Sequence, residues 1–274
     1  MPWLAGCSSL RLGYNQAPLL AYWWLDGYAD FSPEQSPRVK DALADWLVWH
    51  RATQLADYAQ ALAKLGAMAV NPVTADQLCG QVDTWQQRAE RAFERTVPAV
   101  AAQLRTLTVE QINLLERKQS VKRQELVDSH LQAKPAERQK AAFERLLGRA
   151  ETLYGRLDEP QRKQLAAAQQ ALPLQAELWL AELRLRHAEL ARSLRQWQAE
   201  RADATTVQVG LRRLAADINW SPQADYRAYA ARLKQANCEL MAQLHNSSTP
   251  AQRQRAIGKL KGWEVDLMAL ADPR

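Results

Sequence analysis

One local pattern recurs five times along the chain and marks places where helices can begin. A Ser, Thr or Asp, usually just after an apolar residue, is followed three positions later by Gln. The five copies are Phe31-Ser-Pro-Glu-Gln35, Val73-Thr-Ala-Asp-Gln77, Leu107-Thr-Val-Glu-Gln111, Leu157-Asp-Glu-Pro-Gln161 and Ser248-Thr-Pro-Ala-Gln252. In a capping box, the first side chain accepts a backbone N–H of the first turn, and the Gln side chain reaches back to the cap residue. The pattern therefore predicts five helix starts.

The residue pairs that we expect to form these caps are Ser32 with Gln35, Thr74 with Gln77, Thr108 with Gln111, Asp158 with Gln161, and Thr249 with Gln252. Pro33 and Pro250 each follow a cap residue, at the first helical position, where the N–H that proline lacks would have no partner in any case. Trp220-Ser-Pro-Gln223 marks a sixth helix start, which lacks the box.

The composition and the spacing of apolar residues predict helices between these starts. The chain has only 10 Gly in 274 residues and is rich in residues that favour helices, such as Ala, Leu and Gln. The predicted helices span about 33–66, 75–105 with a bend near Pro98, 109–132, 135–155, 159–171, 174–202, 205–218, 222–245 and 250–270. No segment alternates apolar and polar residues convincingly, as a strand does. We predict an all-α fold, a bundle of about eight or nine helices or a curved cradle of helical hairpins.

Two of these helices carry long apolar stripes that need a partner surface. The stripes consist of Ala176, Leu180, Leu183, His187, Leu190, Leu194 and Trp197 in one helix, and Tyr226, Tyr229, Leu233, Ala236, Leu240 and Leu244 in the other. Their members alternate four and three positions apart, which places them along one side of a helix.

The first seven residues indicate a membrane anchor. Leu4-Ala-Gly-Cys7 has the form of a lipobox, after which a lipoprotein signal peptide is cut and whose Cys then carries lipid. Only Met1 to Trp3 precede it, so we interpret 1–7 as the remnant of a lipoprotein signal. No apolar run in the sequence reaches the roughly 18 residues that span a bilayer. We therefore expect lipid on Cys7 and a protein that is tethered to a membrane.

An aromatic segment follows the anchor. We assign 8–32 to an N-terminal arm and 33–274 to a single helical domain. The arm's Tyr22, Trp23, Trp24 and Tyr28 could form an interfacial strap or a lip that contacts clients. We favour an arm docked into the helical core, because two adjacent Trp side chains point to different sides and both need cover.

The capping pattern also carries resemblances to known families. Leu107-Thr-Val-Glu-Gln111 matches the L-T-x-x-Q motif of the Spy/CpxP family, all-helical periplasmic proteins that act as ATP-independent chaperones or envelope-stress accessories. Over nearly its full length, the chain resembles a family of bacterial lipoproteins of unknown function. The residues that carry this second resemblance are Leu4-Ala-Gly-Cys-Ser-Ser-Leu10, Tyr14-Asn15, Tyr22-Trp-Trp-Leu-Asp-Gly-Tyr-Ala-Asp30, Leu114-Leu-Glu-Arg-Lys118, Leu146-Leu-Gly-Arg149 and Gly155-Arg-Leu-Asp-Glu-Pro-Gln161. The resemblance implies a lipid-anchored protein on the periplasmic side, and Ser8 after the Cys favours the outer membrane.

Several kinds of chemistry find no support in the sequence. The net charge of +6 comes from intermixed acidic and basic residues, and no known nucleic-acid-binding motif occurs, so we expect no nucleic-acid partner. His50, His130, His187 and His245 are scattered, and none has a second His or Cys at the spacing of a helical metal site. No phosphate-binding loop or nucleophile elbow is present. We expect no enzymatic activity, no metal and no cofactor.

Cys79 and Cys238 leave two interpretations open. They could form a disulfide in an oxidising periplasm. They could instead be two buried thiols in a helical core, which we favour because their pairing would depend wholly on a tertiary contact between distant helices.

Two functions follow as hypotheses. The first is a Spy/CpxP-like ATP-independent chaperone, or an envelope-stress accessory protein, that holds unfolded proteins on a basic helical cradle. The second is a scaffolding lipoprotein that docks one specific envelope protein through a helix face. Apolar stripes consumed by internal packing, with one residual patch, would favour the specific partner, whereas a diffuse basic and apolar surface would favour the chaperone. In both cases, the N-terminal lipid contacts the membrane.

Overall fold

The computed structural model describes residues 9–131 and 134–272, and the lipobox with Cys7 lies outside these ranges. The described residues form helices and no β-strand, so the all-α prediction is confirmed. The helices are α1 (Ser9–Asn15), α2 (Ala17–Ala29), α3 (Gln35–Thr53), α4 (Leu55–Met68), α5 (Ala75–Leu104), α6 (Val109–His130), α7 (Pro135–Tyr154), α8 (Glu159–Ala171), α9 (Ala176–Ala199), α10 (Ala204–Asn219), α11 (Ala224–Asn246) and α12 (Pro250–Ala271). The predicted number of eight or nine is wrong, because the described residues form twelve helices.

Two of the additional helices lie in the segment that we expected to be an arm. Residues 9–29 are occupied almost entirely by α1 and α2. Pro18 lies in the first turn of α2, where proline is tolerated, and the helix contains no β-branched residue. Nothing in the local sequence therefore opposes a helix in this segment.

The third additional helix arises from a break inside the helix predicted over 33–66. The chain leaves the helix at Gln54, which separates α3 from α4. Just before the break, Thr53 Oγ1 donates to the Trp49 carbonyl at 2.8 Å, a type of back-bond that bends helices. Leu55, the first residue of α4, is almost fully buried. A side-chain bond of this kind does not interrupt the sequence pattern, which is why the break was not predicted.

One compact unit combines the N-terminal helices with the last helix of the chain. It contains α1, most of α2, α3, α4 and α12, and we call it unit 1. Its most extensive helix pair is α4 with α12. Small buried residues, Ala59 and Ala61 on α4 and Ala256 on α12, allow these two helices to pack closely. Arg11 Nε donates to Asp266 Oδ1 at 2.8 Å and so holds α1 to α12.

The second compact unit, unit 2, contains α5 to α11 together with residues 28–30. In it, α5 packs along α10 and α11, while α6 packs against α9. Residues of α5, α6, α9 and α10, and of the loop before α6, form one buried cluster. Its members are Val97, Ala101, Leu107, Ile112, Leu194, Trp197, Val207 and Leu211. Each of these four helices thus directs an apolar side toward a shared core.

The two apolar stripes take part in this internal packing. On α9, Leu180, Leu194 and Trp197 are buried, and on α11, Tyr229 and Leu240 are buried. These members of the two stripes therefore hold unit 2 together and are not available to a client or partner.

The single helical domain expected over 33–274 stays a prediction; the contacts divide that range between two compact units. Helices α3, α4 and α12 lie in unit 1, whereas α5 to α11 lie in unit 2. The physical reason is that α12, at the end of the chain, packs on α4 rather than on the helices that precede it. A contact between helices so distant in sequence leaves no local signal.

The packing of α10 against α9 predicts a stability difference between two glycine substitutions. A Cβ at Gly210 would lie 2.3 Å from Cζ2 of the buried Trp197, whereas a Cβ at Gly148 in α7 has nothing within 4 Å. We expect Gly210→Ala to lower the free energy of unfolding by about 1–3 kcal/mol through overpacking. Gly148→Ala should instead raise it by up to about 1 kcal/mol, because Ala favours the helix. Denaturant unfolding checks both values, and stabilisation by Gly210→Ala would contradict the close contact.

Candidate functional site

Four of the predicted cap pairs form reciprocal hydrogen bonds at helix starts. At Thr74, Thr108, Asp158 and Thr249, the side-chain oxygen accepts the backbone N–H of the Gln three positions later, at 2.9–3.2 Å. The Gln Oε1 accepts the backbone N–H of the cap residue at 2.9–3.1 Å. These pairs begin α5, α6, α8 and α12, and Pro250 is the first residue of α12.

The fifth pair forms similar bonds but does not cap a helix directly. Ser32 N–H donates to Gln35 Oε1 at 2.9 Å, and Gln35 N–H donates to Ser32 Oγ at 3.3 Å. Because α3 begins only at Gln35, these bonds close the turn that precedes the helix. Pro33 lies in that turn, not at the first helical position as predicted.

Two of the capping glutamines also make long-range bonds. Gln111 Nε2 donates to the Asp30 carbonyl at 2.9 Å, and Gln161 Nε2 donates to the Ser247 carbonyl at 3.2 Å. Both glutamines are buried, whereas Gln77 is exposed. Asp30 has a φ of 47°, a left-handed conformation that is unfavourable for a residue other than glycine. The motifs at 107–111 and 157–161 therefore start helices and also hold distant backbone segments.

The two cysteines of unit 2 form a disulfide. Cys79 on α5 and Cys238 on α11 are joined with a Cα–Cα distance of 5.6 Å, across a sequence separation of 159 residues. The expectation of two free thiols is thus wrong. The physical reason is the packing of α5 against α11, which brings the two residues within bonding distance.

The exposed side of α2 carries four large apolar side chains. Leu19, Leu20, Trp23 and Trp24 are exposed to 42%, 50%, 59% and 63%, and we call this set the α2 apolar face. Their spacing places them along one side of a helix. The single charged residue of α2, Asp26, accepts the backbone N–H of Phe31 at 3.0 Å. The four apolar side chains thus form one uncharged face, the kind of surface that marks a contact with a partner or a membrane.

The opposite side of α2 is docked. Tyr22 is buried, and its hydroxyl donates to Ser36 Oγ at 3.0 Å. The expectation that both tryptophans would be covered by the helical core is therefore wrong. Tyr22 makes the core contacts on one side of the helix, and Trp23 and Trp24 remain exposed on the other side. The repeat of apolar residues at 19, 20, 23 and 24 could have revealed this face from sequence.

A cluster of aromatic residues positions the helix before this face. The Tyr14 hydroxyl lies 2.9 Å from His50 Nδ1, and the Trp46 ring stacks on His50 with 4.5 Å between ring centroids. Arg51 Nη2 donates to Asn15 Oδ1 at 2.7 Å. Burial lowers the pKa of His50 below its usual value and raises the pKa of Tyr14 to about 12. These neutral, hydrogen-bonded groups fix α1 against α3.

Two further histidines make side-chain hydrogen bonds within the fold, and one surface depression is lined mainly by charged residues. The Tyr154 hydroxyl lies 3.0 Å from His245 Nδ1 in a buried site, and Arg123 Nη1 lies 2.8 Å from His187 Nδ1. A depression of about 470 Å³ is lined by Arg156, Leu157, Asp158, Glu159 and Arg162. Arg162 in it already donates to Glu151 Oε1 at 2.7 Å. Within the described ranges, no group of His, Cys, Asp or Glu is arranged to hold a metal ion.

The long-range bond of Gln111 predicts a larger stability effect than a cap alone. Gln111→Ala removes the bonds to the Thr108 N–H and to the Asp30 carbonyl, so we expect a loss of roughly 2–3 kcal/mol in the free energy of unfolding. Gln77→Ala, which removes an exposed cap, should cost about 1 kcal/mol or less. Denaturant titrations of both variants check this. Equal losses would show that the bond to Asp30 contributes nothing.

The disulfide predicts a dependence of stability on reductant. Because it closes a long loop, its loss should cost about 2–5 kcal/mol in the free energy of unfolding. Dithiothreitol should therefore lower the unfolding midpoint of the parent protein. The Cys79→Ala/Cys238→Ala variant should start at the lower stability and show no further response to dithiothreitol. A parent protein that unfolds identically with and without reductant would contradict a stabilising role.

The helices in the described ranges include none with the length and apolar character that crossing a membrane needs. No curated protein and no solved structure matches the chain. A family model, that of a family of unknown function (DUF6279), matches residues 27–227. The match extends from the end of α2 into α11, and it includes the motifs that contain Gln111 and Gln161. The chain therefore belongs to this family of unknown function, DUF6279.

Proposed function

We propose that this protein is a membrane-anchored lipoprotein of the cell envelope, on the periplasmic side of the outer membrane, and that it acts as a scaffold for one specific envelope protein. The lipobox at Leu4-Ala-Gly-Cys7 supports the anchor. The disulfide between Cys79 and Cys238 supports the location, because such bonds persist in oxidising compartments such as the periplasm.

The links between the helices of unit 2 are the observation that carries the scaffold role. Besides the disulfide, ion pairs on its surface cross from helix to helix. They join Arg195 of α9 to Glu116 of α6, Arg212 of α10 to Glu94 of α5, and Lys234 of α11 to Asp83 of α5. Each exposed pair contributes little alone, but together with the buried cores they favour one fixed surface. A fixed surface suits a dedicated partner.

The chaperone role has weaker support. A holdase needs accessible apolar surface that adapts to many clients. In unit 2, the long stripes of α9 and α11 are directed inward, as shown by the burial of Leu194, Trp197 and Leu240. The L-T-x-x-Q motif shared with the Spy/CpxP family does not add support, because the Gln111 side chain is used in internal hydrogen bonds.

The end of α10 offers the docking surface that fits this role. Ile218 and Trp220 are exposed to 61% and 73%. The Arg227 guanidinium lies 5.5 Å from the centroid of the Trp220 ring. Trp and Arg are the residue types that contribute most to binding at protein interfaces. With a chain net charge of +6, the complementary partner is an envelope protein with acidic side chains beside an apolar pocket.

In vivo photo-cross-linking tests the scaffold. A photoreactive residue at position 218 should yield one discrete adduct in the envelope, whereas the same residue at Val209, on the same helix and equally exposed at 61%, should not. Trp220→Ala should reduce the adduct at 218 by about tenfold, the effect of losing one anchor side chain.

Aggregation assays test the chaperone role. The purified protein, without nucleotide, should leave the aggregation of two unrelated unfolding clients unchanged. Suppression of both clients, weakened by salt, would overturn the scaffold in favour of an ATP-independent chaperone with electrostatic capture.

A further inference from the structure

The α2 apolar face is held in one orientation by the contacts on its other side. Tyr22 is fixed by its bond to Ser36, and the Lys40 ammonium lies 4.4 Å from the centroid of the Tyr22 ring. Asp26 holds the chain after the helix through the Phe31 N–H. The helix therefore cannot roll to bury its tryptophans without breaking these bonds. These contacts favour the orientation in which Leu19, Leu20, Trp23 and Trp24 are exposed.

The residue types on this face suit the boundary between lipid and water. Leucine favours the acyl region, and tryptophan is enriched at the headgroup level, where its apolar ring and its polar N–H are both accommodated. The face carries no charged side chain. With 13 residues, α2 is about 20 Å long, too short to cross a bilayer but suited to lie in its plane.

A second protein copy is a poorer match for this face. A stable protein interface buries roughly 800 Å² on each partner. Two leucines and two tryptophans on one short helix, each about half exposed, offer considerably less. Lipid has no such threshold, because a bilayer contacts any apolar side chain that reaches it.

The position of the α2 apolar face in the sequence also favours lipid as its occupant. Cys7 precedes the start of α1 by two residues, a contour length of about 7 Å. α1 leads through Gln16 directly into α2. A lipid on Cys7 would therefore keep α1, and the α2 that follows it, near the bilayer surface.

We infer that the α2 apolar face inserts into the headgroup region of the membrane and forms a second attachment point beside the lipid. The inference deepens the proposed membrane anchorage and depends on it for its cellular meaning. Two attachment points hold more firmly than one, and they also fix the orientation of unit 1 on the bilayer.

Vesicle flotation tests this contact without the lipid anchor. The Cys7→Ala variant of residues 1–274 is mixed with vesicles of phosphatidylethanolamine and phosphatidylglycerol and floated through a sucrose gradient. We expect it to bind, and we expect Trp23→Gln/Trp24→Gln in the same background to bind at least about tenfold more weakly, the effect of losing two apolar contacts. Val121→Gln/Val209→Gln, which changes two exposed apolar residues of unit 2, should bind like the parent.

Quenching of the parent protein's tryptophan fluorescence is a second measurement, and it does not require a variant to fold. Brominated acyl chains should quench part of the parent protein's tryptophan fluorescence, whereas bromide in solution should quench less once vesicles are present. Failure of the Cys7→Ala parent to float, or equal flotation of all three proteins, would overturn the contact. Sedimentation as a dimer that the Trp23→Gln/Trp24→Gln variant abolishes, without flotation, would also overturn it and assign the face to a second copy.

The anchor itself is tested separately, so the two failures are distinguishable. With a lipoprotein signal sequence placed before Leu4, Cys7→Ala should move the protein from the membrane fraction to the soluble periplasm. If Cys7→Ala moves the protein to the soluble periplasm but vesicles fail to bind it, the lipid anchor is supported and the α2 contact is overturned. If Cys7→Ala leaves the protein in the same fraction, the proposed lipid anchor is overturned, whatever the result with vesicles.

Discussion

The packing of α5 along two other helices is the constraint on which the rest of unit 2 depends. Cys79, in the second turn of α5, is bonded to α11, while Glu94, further along, pairs with Arg212 of α10. Val97 is fully buried in the shared core. Pro98 follows it inside the helix, where proline removes one hydrogen bond and costs about 3 kcal/mol. The helix continues to Leu104 because the contacts with its neighbours offset that cost.

The chemistry of glutamine explains why this residue type ends the capping motifs at 107–111 and 157–161. Glutamate could also accept the N–H of a cap residue, since both side chains carry an acceptor oxygen. Only the amide can donate as well, and Gln111 and Gln161 use this donor to hold the Asp30 and Ser247 carbonyls. A carboxylate in those buried positions would face a carbonyl oxygen and be repelled. The likeness to the Spy/CpxP motif thus has a structural explanation that does not require a shared activity.

Local sequence predicts elements well here and tertiary contacts poorly. The starts of α5, α6, α8 and α12 follow from side chains that bond within one turn, so the motifs place them to within a residue. The break at Gln54, by contrast, accompanies a back-bond from Thr53, and the Cys79–Cys238 pair depends on how two distant helices meet. The α2 apolar face lies between these cases. Its spacing is visible in the sequence, but which side of the helix docks is decided by Tyr22 and its bond partner.

That decision has a physical reason. A buried tyrosine hydroxyl needs a hydrogen-bond partner, and Ser36 provides one only on the side of α2 that faces α3. Trp23 and Trp24 then point away from that contact, because they lie about 100° and 200° around the helix from Tyr22. An exposed tryptophan pair in water is unfavourable by its apolar area, so its place on an uncharged helix face favours an environment other than water. Lipid at the headgroup boundary supplies that environment without demanding the large complementary surface that a protein partner would need.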